Sequence, residues 1–164
     1  MMLMAEATQS SNLMHILKLA GLVVLALLAI AIFIIIVVGV YQTYRVEHRP
    51  QQAVFRAGSL PDPLPDGAYK GFQNISMGAD WQGKVFDRKN SSGINQFAHE
   101  QRYTFKTYAA NGLRDGDKQV LRIDYNQPGN PWWLRYIVDE IVQTGPGKYQ
   151  GKVHLKIIPG LTLQ

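Results

Sequence analysis

The residues weighed for chemistry in this chain are its four histidines, Glu140 and Lys84, and the 164 residues include no cysteine. Zero Cys excludes disulfides, thiolate metal sites and cysteine nucleophiles together. The four histidines are His15, His48, His99 and His154. No two have the i, i+4 spacing of a helical metal pair or the i, i+2 spacing of a strand pair, so spacing assigns no metal and all four are expected to be solvated. Lys84 in Trp81-Gln-Gly-Lys-Val-Phe86 follows no phosphate-binding loop, and Gly83 before it reads as a strand bend. Gly-x-Ser-x-Gly, P-loop and dinucleotide fingerprints are all missing.

Glu140 is the acid that breaks pattern. It falls in phase with Leu134, Tyr136, Val138 and Val142, so strict alternation buries a carboxylate. A buried acid has a raised pKa unless it is paired, which is what a general acid or ligand anchor uses. The structural alternatives are a β-bulge that turns Glu140 outward or an ion pair with an arginine such as Arg122. An enzyme reading would pair Glu140 with His99 or His154.

Trp132-Trp133, between Pro131 and Leu134-Arg135-Tyr136, is the strongest surface signal. Adjacent residues of a strand face opposite ways, so only one Trp can be core. The other, beside Arg135, is expected to meet a membrane interface or a partner protein, unless the Asn90–Phe97 segment covers it.

The element that positions everything else is Leu19–Tyr41, LAGLVVLALLAIAIFIIIVVGVY, a run without charge. A helix of that length spans roughly 34 Å, enough for a bilayer's hydrocarbon core. It is too long for the apolar core of a signal peptide and no small-x-small cleavage site follows, so an uncleaved anchor is expected. Its small residues never fall four apart, which excludes a GxxxG dimer face, and no ionisable group lies mid-span. Lys18 precedes the run while Arg45, Arg49 and Arg56 follow it, which favours a cytoplasmic C-terminal domain.

Residues 1–18 read as a short polar tail. Residues 42–67 read as a juxtamembrane segment, with Tyr41 and Tyr44 at headgroup level and Pro50 ending the helix, followed by a Pro-rich spacer. From Ala68 the texture changes to short β-type runs between turn signals. The expected strands are Ala68–Asn74, Trp81–Phe86, Tyr103–Tyr108, Gln119–Tyr125, Leu134–Gln143 and Tyr149–Ile158. In the last pair, Leu134, Tyr136, Val138 and Val142 face Tyr149, Val153, Leu155 and Ile157, joined by a hairpin at Thr144–Lys148. Arg135, Asp139, Gln143, Gln150, Lys152, His154 and Lys156 form an expected wet face.

The fold class is therefore mainly β with one N-terminal transmembrane α-helix, the β part being a small antiparallel barrel or half-barrel. In strand pattern, over Ala68–Ile158, it resembles the lipocalin-like (calycin) barrels. The family's Gly-x-Trp has one residue too many here, Gly78-Ala79-Asp80-Trp81. The resemblance carries over no binding residue. Separately, a binding-module reading has the barrel hold an apolar molecule from the bilayer, a lipid or pigment, in a pocket lined by Tyr103, Phe105, Tyr125, Tyr136, Glu140 and Tyr149.

The formal charge is +5, but the 17 Lys and Arg are scattered, so anionic headgroups explain the basicity better than nucleic acid. The expected function is a single-pass accessory subunit of a larger integral-membrane complex, energy-transducing or photosynthetic, in a bacterial inner or intracytoplasmic membrane. No catalytic residue, metal or resident cofactor is assigned. Contacts to partner and bilayer are expected at Ile32, Phe33, Ile36, Tyr41, Tyr44, Arg45, Arg49, Trp132, Trp133 and Arg135.

Overall fold

A computed structural model describes the backbone of residues 2–73, 80–156 and 161–163, and the side chains of 12–73 and 80–156. Two compact units emerge, Met1–Val38 and Gly39–Gln164. Helix α1 (Met2–Glu47) is unbroken, so the polar head is helical rather than a separate tail. Over Asn12–Glu47 it reaches a mean hydropathy of 3.5 with almost none of that stretch covered by protein, and is long and apolar enough to cross a membrane.

The second unit is a half-barrel. Strands β1 (Gly67–Lys70), β2 (Trp81–Asp87), β3 (Ser92–Phe97), β4 (Gln101–Asn111), β5 (Gln119–Asp124), β6 (Ile137–Gly145) and β7 (Lys148–Leu155) pair in chain order, each antiparallel to the next. A short β8 (Leu161–Leu163) extends the β7 edge. The turns fall where Asn90–Gly93, Asn111–Gly116 and Gly145–Gly147 place them. The bend expected at Gly83 is a β-bulge: φ is +149°, and a Cβ there would stand 2.0 Å from the Tyr69 carbonyl oxygen.

The inner face carries the main core. Phe86, Phe105, Leu121, Ile123, Tyr125, Leu134 and Ile141 are buried together, with Tyr69, Tyr103, Ile137 and Tyr149 packed on them. Successive edge-to-face contacts run Tyr149–Tyr69–Phe86–Phe105–Tyr125 at centroid distances of 5.2 to 5.8 Å.

Four expectations change. Ser92–Phe97, read as turn and loop, is strand β3, paired on both sides. Leu134–Tyr136, read as strand, is a 3-10 turn, and β6 starts at Ile137. The residues facing the aromatic core are consequently Ile137 and Ile141 with Asp139 between them, while Val138, Glu140 and Val142 point the other way. That second face is not wet: Lys152 and His154 are buried on it. The remainder of the expected strand ends, Asn74 and Ile157–Ile158, and Gly78-Ala79 of the quoted motif lie outside the described residues.

The second face is covered by the segment expected to be a spacer. Pro50 does end α1 but also begins helix α2 (Pro50–Ala57), whose fixed φ suits the first helical turn. Phe55 of α2 is fully buried against Val120 and Val142. Ser59 then pairs with Gln143 through Ser59 N–H to O (3.0 Å) and Gln143 N–H to O (2.7 Å), and Leu60 and Leu64 pack on the main core. Gly39, Thr43 and Val46, one stripe at i, i+4 and i+7, are also buried. Residues 39–67 belong to the globular unit.

Candidate functional site

Inside the half-barrel, β2 and β6 bring a cation to an acid. Lys84 Nζ stands 2.9 Å from Asp139 Oδ2 and donates to Asn95 Oδ1 (3.0 Å) and to Tyr125 Oη. Tyr125 Oη in turn donates to Asp139 Oδ2 at 3.0 Å, and Trp81 Nε1 donates to Asn95 Oδ1 at 3.0 Å. The rings of Trp81, Phe105 and Tyr125 surround the ammonium at 5.0 to 5.6 Å. Burial alone would discharge Lys84, but Asp139 and then Tyr125 more than reverse it, holding the lysine above its ordinary pKa. Burial, followed by the Asp139 charge, pushes the Tyr125 phenol up as well. Both groups stay protonated at neutral pH, so neither is an activated nucleophile or base. Asn95 also donates to the Tyr103 carbonyl (3.1 Å), where the strand bulges and Tyr103 adopts φ +66°.

Glu140 sits on the opposite face with no exposed surface. Its Oε1 accepts from Leu113 N–H at 2.7 Å and from Arg122 Nε at 3.3 Å, and its Oε2 is 3.1 Å from His154 Nε2. The Arg122 pairing is one of the alternatives the sequence left open; the other, a bulge, is absent, because β5–β6 and β6–β7 register runs unbroken through Glu140. Burial pushes the Glu140 carboxyl up, but hydrogen bonding and charge from His154, then Leu113 N–H and Arg122, bring it below the ordinary value. The expectation that His154 is solvated is corrected by the same contact.

Beside it, Asp115 of the β4–β5 loop joins three elements. Its carboxylate takes Lys152 Nζ (2.5 Å) from β7, and Arg56 Nη1 (2.6 Å) and Gln52 Nε2 (3.1 Å) from α2. Lys152 has no exposed side-chain surface, and its ammonium also stands 4.3 Å from the Phe55 ring centroid. Next in the loop, Arg114 Nε reaches Glu47 Oε1 of α1 at 2.6 Å. The loop thus ties both helical segments to the sheet.

These pairings predict an acid-sensitive fold. Asp115 is pushed up by burial but brought below its ordinary pKa by Lys152 and then Arg56, as Glu140 is by its partners. Acids whose folded pKa is depressed stabilise the fold fully above their unfolded values near 4, and this stabilisation disappears as pH falls through the folded values. Thermal unfolding in detergent should be flat from pH 7 to about 5 and fall steeply below 4. Glu140→Gln should lose about 1–3 kcal/mol at pH 7 and flatten the acid slope. An unchanged slope would contradict the assignment.

Of the six expected pocket residues, Tyr103, Phe105, Tyr125 and Tyr149 do gather on the inner face. Tyr136 is 44% exposed in the 3-10 turn, and Glu140 faces away from them. A surface cavity of about 420 Å³ opens between Phe86, Gly93, Ile94, Thr104, Phe105 and Pro128, and another of about 350 Å³ lies beside Arg56, Lys118 and Gln119. Neither is lined by Glu140, His154, Lys84 or Asp139. Among the described residues no three His, Asp or Glu side chains form a metal-holding group.

Trp132 and Trp133 are both exposed, at 73% and 47%, so the expectation that one is core is corrected. The reason is local: the 3-10 turn has no two-sided alternation, and Leu134 is the residue it buries. Trp133 meets Tyr103 edge-on at 6.3 Å, and the Asn90–Phe97 segment is a turn and strand β3. Arg135 Nε donates to the Asn130 carbonyl at 3.1 Å. In α1, Ile32, Phe33 and Ile36 are exposed, Arg45 lies 5.9 Å from the Tyr41 ring, and Tyr44 stacks on His48 at 3.9 Å. Arg49 precedes the first turn of α2.

Asn95, Asp115 and Phe55 were not singled out by sequence reasoning, Lys84 was weighed only against a phosphate-binding loop, and Asp139 and Lys152 were expected on a wet face. The signal for Asp139 was present in Ile137-Val-Asp-Glu-Ile-Val142, where each strand face carries two apolar residues and one acid, the pattern of a strand covered on both faces. No protein-family model matches the chain, and no curated protein or solved structure matches it significantly.

Proposed function

We propose that this chain is a single-pass subunit that serves a larger integral-membrane assembly by structure rather than by chemistry. Its β domain would cap a membrane-proximal surface on the cytoplasmic side, as the Arg45, Arg49 and Arg56 flank favours. The observation that carries this reading is a contrast between the two units. The domain's buried cations and acids are matched with one another, whereas the side chains of Leu19–Val38 are exposed and apolar. None of Glu140, His154, Lys84 and Asp139 lines either described cavity, and a large apolar surface awaits a covering.

Purification of the tagged full-length protein in mild detergent tests this. Other membrane proteins should co-purify in fixed ratio, whereas migration as a lone 18.4 kDa chain in its micelle would contradict it.

The cavity of about 420 Å³ beside Phe86 and Phe105 favours a second reading, a membrane-anchored lipocalin-like module for an apolar molecule. The ligand would enter between β2–β4 and the Pro128 loop, since Lys84 and the aromatic core fill the inside. Solvent extraction of the chain from Gly39 onward, which keeps Phe55 in place, should release a lipid or pigment. An empty extract would exclude this reading.

A further inference from the structure

We propose that the Pro131–Tyr136 turn is a second membrane contact, docking the β domain on an anionic lipid surface independently of α1. It rests on the anchoring in the functional reading above, but not on any partner complex.

The turn presents Trp132, Trp133 and Tyr136 to solvent with Arg135 exposed among them. Such large amphipathic rings are unusual as free surface. Rings with a polar edge beside a long cation are the composition of a bilayer interface, where the ring body meets acyl chains and the polar tip stays wet. The backbone geometry supports this use. Leu134 pins the turn from below and Arg135 is braced on the Asn130 carbonyl, so both indoles project from a fixed base.

Charge complementarity selects lipid phosphate. Among the described residues no carboxylate pairs with Arg135, while neighbouring cations are matched: Arg102 with Glu100, and Lys156 with Asp124. Arg135 is thus the turn's unmatched positive charge, available to a phosphate oxygen.

Tethering makes the bilayer the favoured occupant over a soluble protein. Gly39 lies within the apolar Leu19–Tyr41 run and is already buried in the globular unit. The β domain is joined covalently to that run, so a bilayer entered by the run is within the domain's reach. Even weak lipid affinity is then amplified by high local concentration.

The tryptophans supply the test. All three, Trp81, Trp132 and Trp133, lie in the β domain and none in the span, so indole emission reports the domain alone. Full-length protein is placed in nanodiscs of neutral or part-anionic lipid, with and without bromine on the acyl chains. The expected result is quenching of about a third or more of the emission in anionic brominated discs. Trp132→Phe/Trp133→Phe should abolish it while retaining the far-ultraviolet β signal. Arg135→Glu should weaken it in anionic discs only. Emission that is unquenched in both lipids and typical of indole in water overturns the proposal. So does quenching that survives the double substitution, which would implicate Trp81. If the indoles become shielded in native membranes but not in pure-lipid discs, a protein covers the turn and lipid docking is wrong.

Discussion

Asp115→Ala should lower the unfolding free energy of the domain by about 3–5 kcal/mol, the cost of stranding a buried charge by removing its partner. Lys152 has no exposed side-chain surface, and Asp115 is its ion-pair partner. Without the carboxylate, the ammonium must remain charged in a dry site, discharge, or open the fold. The Phe55 ring at 4.3 Å cannot replace a full negative charge. Arg56 and Gln52 also lose a partner, but Arg56 is half exposed, and water replaces that bond at little cost. Adding Lys152→Met should restore much of the loss, because an apolar chain of similar length leaves no charge to desolvate. The measurement is urea unfolding of the full chain in micelles, followed by tryptophan emission. If the double variant is no better than Asp115→Ala alone, the buried pair is not the cause.

Phe55→Ala should cost about 3–5 kcal/mol, the range for deleting a fully buried aromatic ring. The residue lies outside the β sequence, in the juxtamembrane segment just before the Pro-rich spacer. A free spacer would tolerate the change to within about 0.5 kcal/mol. Phe55 instead fills the space over Val120 and Val142, and the chain after it pairs with β6 through Ser59. Phe55→Leu should recover most of the stability, since it nearly conserves volume. A neutral Phe55→Ala would mean that α2 does not seal the sheet.

The reason these two residues escape a sequence reading is physical. Alternation reports which side chains point the same way, not what covers them. Lys152 and His154 carry the pattern of a wet face and Glu140 breaks the pattern of a dry one; pairing with Asp115, Arg122 and one another lets all three be buried. The partner Asp115 sits in a loop whose Gly112 and Gly116 mark a turn but not its docking onto the sheet. Strand β3 was illegible because Ser92, Gly93, Asn95 and Gln96 look like turn chemistry. Gly93 is needed there for space, since a Cβ would stand 2.4 Å from the Phe105 ring. Leu134 and Tyr136 extended the β6 alternation by coincidence, which shifted the inferred core face by one residue.

What was legible rests on stronger signals. The run to Tyr41 carries no charge and lies in a helix long and apolar enough to cross a membrane. Hairpins with Asn-Gly, Asp-Gly and Gly-Pro-Gly between β-type runs place most strands and their neighbours in order. Tyr103, Phe105, Tyr125 and Tyr149, expected to face inward, pack in or against the main core. Lys84 and Asp139 inside that group were invisible, as their charges cancel only once β2 and β6 are brought together.

The account holds that α1 is a binding surface and not merely a tether. Photo-crosslinking from single positions at Ile32, Phe33, Ile36 and their neighbours, in intact membranes, addresses this directly. The account predicts that positions on one side of the helix crosslink to a protein of defined mass, while those on the opposite side capture lipid. Lipid adducts alone from every position would contradict it.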